Sequence, residues 1–329
     1  MGLLMRIVVT GSAGHLGEAL TWMLRTDGHD VAGVDVRPDS STDLVGSIAD
    51  RMFVRAALAG ADAVVHTATL HKPHVNSHTR QDFVDTNISG TLTLLEESAA
   101  AGIGRFIFTS TTSSFGRALT PVPGAPAAWI TEEVQPRPRN IYGATKIAAE
   151  DLCELVHRDT GLPIVILRVS RFFPEADDDT EISRSFPAEN IQMNEMLYRR
   201  VDLEDVVDAH RLAIDRVGGL GFGRYIVSAT TPFGVADLAE LRRDAPSVLR
   251  RYYPDYFDIY QHRGWRMFPQ LDRVYVNERA RNELGWRPRY TFAHLLQRLS
   301  AGMSPRSALS LAVGAKGYHR VSTGPYTVR

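Results

Sequence analysis

Cysteine is almost missing from this chain, which carries one, Cys153, among 329 residues. A lone thiol excludes an internal disulfide framework and fits a reducing compartment. It falls in a helical pattern with no activating neighbour in sequence, so a buried structural thiol is expected. Long apolar runs are missing too, since no stretch approaches the ~18 uninterrupted apolar residues of a membrane span. The opening Met1-Gly2-Leu3-Leu4-Met5-Arg6 lacks the apolar core of a secretory signal, and Arg6 stands where a myristoylation motif wants Ser or Thr. An excess of one charge is also lacking. Lys and Arg total 37 against 38 Asp and Glu, so no overall field would gather nucleic acid or an anionic membrane. These absences lead us to expect a soluble, cytoplasmic protein. Its 44% hydrophobic and 23% charged residues are ordinary globular usage.

What the chain does have is an alternation of short apolar runs with helix-length amphipathic segments. Arg6–Thr10, Asp30–Asp35, Ala63–His66, Arg105–Thr109 and Pro163–Arg168 read as buried strands. Helices are expected over about 14–26, 51–59, 80–101 and 142–159. Near-continuous apolar strands separated by helices predict an α/β fold, a doubly wound parallel sheet covered on both faces. After Arg168 the rhythm changes: residues 171–200 are irregular, with Pro174, the run Asp177-Asp178-Asp179 and Pro187. We expect residues 1–170 with about 201–230, where Tyr225-Ile226-Val227 returns to the sheet, to form the nucleotide-binding domain. Residues 171–200 and 231–300 would form a smaller substrate domain, and 301–329 a tail of unassigned role. Thr120–Pro138 is a proline-rich loop by composition.

Gly11-Ser12-Ala13-Gly14-His15-Leu16-Gly17 places three glycines directly after a strand and at the opening of a helix. Gly11 permits the tight turn, Gly14 lets backbone approach a pyrophosphate, and Gly17 lets helix and strand pack closely. The phosphates would lie on free N–H groups at the positive end of the helix dipole. Asp35, at the end of the second strand, is placed to accept from the hydroxyls of a ribose and to repel a 2′-phosphate, which favours NAD over NADP. Arg37 could attract such a phosphate, but a solvated loop arginine is the better reading. Further on, Tyr142-Gly143-Ala144-Thr145-Lys146 sets a phenol and an ammonium four apart, on one helical face. A phenol with a pKa near ~10 is a poor base at neutral pH; a neighbouring ammonium and a positively charged nicotinamide ring would favour its phenolate.

Taken together these pieces resemble the extended short-chain dehydrogenase/reductase family, in the NAD-dependent epimerase/dehydratase branch that includes UDP-galactose 4-epimerase. The matching segments are Gly11–Gly17, Asp35, Val65-His66-Thr67-Ala68, Asn87-Ile88-Ser89-Gly90-Thr91, Phe108-Thr109-Ser110-Thr111 ending at Phe115-Gly116, Tyr142–Lys146, Leu167-Arg168, and Glu283-Leu284-Gly285-Trp286-Arg287-Pro288. They occur in the family's order. The resemblance implies a catalytic set of Thr111, Tyr142 and Lys146, with Thr111 holding the reacting oxygen and Tyr142 exchanging the proton. It implies that NAD is bound by Gly11, Ala13, Gly14, His15, Leu16, Gly17, Asp35, Arg37, Ser47, Ile48, His66, Thr67, Ala68, Asn87 and Thr109 together with the Tyr–Lys pair. His66-Thr67-Ala68 would act mainly through backbone, and Asn87 would support the strand–helix crossover. His71, Thr111, Thr112, Arg171, Arg200 and Arg266 are the substrate-side candidates, and Arg199, beside Arg200, maps loosely onto the same family of phosphate-binding arginines.

Three departures matter. Thr112 and Ser113 replace the Asp-Glu pair of the sugar 4,6-dehydratases and cannot serve as acid and base near neutral pH, so that reaction is not expected. Arg171 stands where the epimerases have an asparagine, and a guanidinium can grip phosphate or carboxylate in bidentate fashion. Ser47 replaces the acid that touches adenine. His66, His71, His74 and His78 lack the helical pairing of a metal site, the last two excepted, and no metal is expected. The resemblance implies an NAD-dependent sugar or nucleotide-sugar epimerase or oxidoreductase, acting as a homodimer through the helices at 80–101 and 142–159. A dehydrogenase or reductase of a non-nucleotide hydroxy or carboxylate substrate is the alternative, followed by a non-catalytic NAD-binding regulator.

Overall fold

A computed structural model of the chain describes residues 4–175 and 180–316. The acidic run Asp177–Asp179 and the last part of the tail, 317–329, lie outside the described residues. The first half largely alternates strands and helices: β1 (Arg6–Thr10), α1 (His15–Thr26), β2 (Asp30–Asp35), β3 (Leu44–Val45), α2 (Arg51–Ala57) and β4 (Ala63–His66). It continues through α3 (Arg80–Val84), α4 (Gly90–Ala100), β5 (Arg105–Thr111), β6 (Ala128–Ile130), α5 (Ile141–Thr160) and β7 (Ile164–Val169). The second half holds α6 (Thr180–Ser185), α7 (Ala188–Met196), α8 (Leu203–Leu220), β8 (Phe222–Val227), α9 (Leu238–Leu241), α10 (Ala245–Tyr252) and α11 (Tyr256–His262). It closes with β9 (Arg273–Tyr275), α12 (Glu278–Glu283), α13 (Phe292–Ser300) and α14 (Ala308–Val313).

Seven strands form one parallel sheet in the order β3-β2-β1-β4-β5-β7-β8. The order reverses at β1, which pairs β2 on one side and β4 on the other, so the loops after β1 and β4 diverge and leave a crevice at the carboxyl ends of the strands. Alternation along β5 shows why both faces must be covered. Phe106 and Phe108 pack with Leu95 of α4 and Ala149 and Cys153 of α5, whereas Ile107 packs with Leu20 of α1 and Ala213 of α8. Cys153 is fully buried in the first of these layers, as a structural thiol should be.

A separate apolar cluster gathers Met193 and Leu197 with Leu241, Leu249, Tyr260, Phe292 and Leu295. Over it lies a two-stranded parallel ribbon of β6 and β9, with Trp129 opposite Val274. Composition gave no sign of this ribbon, because β6 lies in the proline-rich loop and its partner is distant in sequence. The described part of the tail is not loose: α14 buries Val313 in the layer that holds α1 and α8. The expected single helix over 80–101 is interrupted by a π-helical turn at Asp85–Ser89. Such turns insert one residue per turn and re-aim a side chain. Here the side chain is Asn87, whose amide bonds both backbone groups of Leu70 at 2.8 Å and the Thr145 hydroxyl at 3.0 Å.

Candidate active site

The turn after β1 is shaped by close approach. Gly11 has φ +76, and a Cβ there would lie 2.7 Å from the Ala68 nitrogen; one at Gly17 would lie 2.0 Å from the Gly11 carbonyl oxygen. Gly11 and Ser12 donate to the Val34 carbonyl at 2.7 and 3.2 Å, which pins the turn to the end of β2. Gly14 caps α1 without any side-chain acceptor, so the positive end of that helix faces the crevice. Asp35 accepts from the Ala13 and Arg37 N–H groups at 3.1 and 2.9 Å and keeps lone pairs for further donors. The Arg37 guanidinium folds back to the Ala13 carbonyl at 3.2 Å. This cradle of bare backbone, ending in a carboxylate, fits a dinucleotide pyrophosphate with its ribose.

One continuous cleft of about 1160 Å³ runs from this turn, past Thr111 and Tyr142, to Arg171, Arg199 and Arg273. Asn140 caps α5 by accepting from Gly143 N–H at 3.0 Å, which places Tyr142 and Lys146 on the first two turns. The Thr111 hydroxyl accepts from Ser113 N–H at 3.1 Å, and Thr111 and Tyr142 line the same stretch of the cleft. Burial pushes the Tyr142 phenol up to about 12, against the smaller opposing effect of nearby Thr111. Burial likewise pulls the Lys146 ammonium down to about 7, with Glu150 and Cys153 opposing it. In the polypeptide alone burial therefore disfavours the phenolate.

A model of the NAD dependent epimerase/dehydratase family matches residues 7–225. The chain belongs to that family. NAD is the family's cofactor, and the turn, helix end and Asp35 are the parts of this member that fit it. An uncharacterized protein of Sinorhizobium fredii, y4nG, is 34% identical over 168 residues, covering 49% of this chain and 39% of its own length. UDP-glucose 4-epimerase of Streptomyces lividans is 30% identical over 161 residues, covering 45% of this chain and 46% of its own. The chain thus spans less than half the length of these curated relatives. Among solved structures, a short-chain dehydrogenase/reductase superfamily protein of Agrobacterium tumefaciens with bound NAD aligns over 90% of this chain and 96% of its own, at 24% identity and a TM-score of 0.64. A UDP-glucose 4-epimerase of Thermotoga maritima with UDP-glucose aligns over 89% and 96%, at 24% identity and 0.61. At these identities the likeness establishes the fold.

In this member of the epimerase/dehydratase family, the cleft is bordered by Gly11, Gly14, His15, Leu16, Gly17, Asp35, Arg37, Ser47, Ile48, Thr67, Ala68 and Thr109 on the cofactor side. His71, Thr111, Thr112 and Arg171 border it further on. The other expected residues sit elsewhere. Ala13 does not border the cleft: its N–H goes to Asp35 and its carbonyl accepts from Arg37, and Lys146, 2% exposed, lies behind the cleft with Nζ on the Thr109 carbonyl. His66 lies behind the cleft, 1% exposed, between Thr10 at 2.8 Å and Thr91 at 3.0 Å; because Thr91 gives its proton to the Asn87 carbonyl, His66 Nε2 carries the hydrogen. Burial, then Lys146, holds this histidine down at about 3, so it is neutral and a bridge between the glycine turn and the Asn87 turn. Asn87 acts from below through Leu70 and Thr145.

Two arginines are corrected more sharply. Arg200 is 5% exposed and turned inward, on Glu195 at 2.7 Å and the Phe173 carbonyl at 3.0 Å. Arg266 stands off the cleft, bonding the Ser185 carbonyl at 3.1 Å over the Phe186 ring. Their neighbours take the position: Arg199, Arg242 and Arg273 border the far end, and of these only Arg199 was visible in the sequence as a candidate. Arg199 and Arg171 share Glu195 with Arg200, at 2.6 and 3.8 Å. Burial alone would raise the Glu195 carboxyl, but Arg199, Arg200 and Arg171 outweigh it and hold it well below the usual carboxylate range. Three guanidiniums around one carboxylate leave this wall positive. Among the described residues no group of three or more His, Cys, Asp or Glu is arranged to hold a metal ion, and no helix is long and apolar enough to cross a membrane.

Proposed function

We propose that this protein catalyses NAD-dependent hydride transfer at a carbinol carbon of an anionic sugar substrate, of which a nucleotide sugar fits best. The single observation behind it is that Thr111 and Tyr142 line one cleft continuous with the glycine turn. Bound NAD supplies a hydride acceptor there and a positive ring that favours the phenolate. Thr111 holds the substrate oxygen. Tyr142 takes its proton as the carbon is oxidised and returns it in the reverse step. Lys146 keeps two further donors for the ribose next to the reacting carbon.

The substrate's charged group is assigned to the wall of Arg171, Arg199 and Arg273, and the substrate side to the apolar unit built from residues 171–200 and 231–300 with β6. The relatives named for UDP-glucose epimerisation support a diphosphate there. Arg171 in place of asparagine favours, as a second reading, a carboxylate substrate oxidised by a net dehydrogenase. With UDP-glucose and UDP-glucuronic acid as probes, an epimerase yields the 4-epimer and accumulates no NADH, while a dehydrogenase yields one NADH per turnover. Neither product from any anionic sugar, with NAD bound, contradicts the proposal. The family resemblance points to a homodimer through the helices at 80–101 and 142–159, to be checked by sedimentation.

A further inference from the structure

Thr109 is gripped from both faces of the sheet. From the α5 side, Lys146 Nζ crosses the Phe108 ring at 4.0 Å from its centroid and donates to the Thr109 carbonyl at 2.6 Å. From the opposite side, His210 of α8 bonds the Thr109 hydroxyl at 2.9 Å. The alternation of β5 requires this split, because Phe108 and Thr109 must point to opposite faces. The direction of the second bond is fixed. His210 Nδ1 is 2.8 Å from the Val206 carbonyl, which can only accept, so Nδ1 carries the hydrogen and Nε2 accepts from Thr109. His210 is 0% exposed, and its burial holds it down at about 4, so the neutral tautomer persists at physiological pH.

We propose that His210 is a positioning residue for the Tyr–Lys pair: by holding the Thr109 hydroxyl from behind the sheet, it fixes the carbonyl on which the Lys146 ammonium rests. Two residues further along the same strand stands Thr111, so the one anchor sets both the ammonium and the residue that lines the cleft with Tyr142. This inference rests on the proposed hydride-transfer reading for its catalytic consequence, but not for the geometry of Lys146.

The test compares Thr109→Val, which loses the hydroxyl at nearly constant volume, with His210→Phe and the double variant. The expected result is a fall in kcat of about tenfold with little change in the KM for the sugar, and a weaker NAD dissociation constant. Because one bond is removed in each case, the double variant should be no worse than the worse single variant. Thr109→Ser, which keeps the hydroxyl, should recover most of the loss. If His210→Phe does not fold, Thr109→Val and Thr109→Ser carry the comparison. A lower melting temperature with kcat per folded molecule and NAD affinity unchanged assigns His210 to stability alone and overturns the proposal. The NAD affinity is read without turnover; its weakening in a protein that turns over no sugar would overturn the proposed reaction and leave the role of His210 standing.

Discussion

The wall of the cleft formed by the glycine turn is made of backbone, whereas the wall formed around Arg171, Arg199 and Arg273 is made of charged side chains. The first is assembled from residues close in sequence: Gly11, Gly14 and Gly17 lie within one turn and the opening of one helix, and Asp35 is fastened to Ala13 by a single bond. The second draws residues from the loop after β7, from the segment after α7 and from β9; a buried carboxylate, Glu195, holds Arg171 and Arg199, and Asp272 holds Arg273. A backbone cradle is altered only by adding atoms. A guanidinium cluster is altered by removing one charge.

The contrast can be broken from its charged side first. Glu195→Gln leaves Arg199 and Arg200 beside a neutral group in the interior, and uncompensated buried charge should cost about 3–5 kcal/mol of stability, read from urea denaturation. NAD binding by whatever remains folded should be nearly unaffected. A loss below roughly 1 kcal/mol would mean the cluster is solvated. On the backbone side, Gly17→Ala must displace the Gly11 carbonyl. Overpacking of about 1–3 kcal/mol should weaken NAD by roughly 10–100-fold with the sugar's KM little changed, as titration would show. Arg171→Ala should do the reverse, raising the sugar's KM about tenfold while kcat and NAD affinity hold.

The smallest expected effect is a pH dependence. His66 and His210 have folded values depressed to about 3 and about 4, so the unfolded chain binds the extra protons first. Their contribution is complete above about 6.5 and is lost as the pH falls from there through about 4 for His210 and about 3 for His66. Glu195, held well below the usual range, keeps its charge across that window. Hydrogen exchange at mildly acid pH should therefore quicken around β4 and the middle of α8 before it does around α7. Equal quickening in both regions would remove the distinction.

How much of this was legible in the sequence follows the same division. Gly11, Gly14, Gly17, Asp35, Tyr142 and Lys146 could be placed because strand, turn and helix geometry fix their relations locally. The parallel sheet followed from the apolar strands. Arg199 and Arg200 could not be told apart, because adjacent residues point to opposite sides and only Glu195 decides which is buried. Arg273 was invisible, since its position depends on β9 finding β6 across more than a hundred residues of chain. His66 carried a family pattern but is turned into the sheet, where Thr10 and Thr91 satisfy it. The phenol was expected to be acidified by its lysine neighbour, and the spacing is indeed right. Burial, which no spacing reveals, takes both groups the other way.

The central claim is that Tyr142 moves the proton while the cofactor sits in the glycine cradle. Its most direct test is Tyr142→Phe, assayed for turnover and for NAD binding in the same preparation. The account predicts that kcat falls on the order of 10²–10⁴-fold while NAD still binds within a few-fold of the parent. Turnover undiminished by loss of that one oxygen would contradict it.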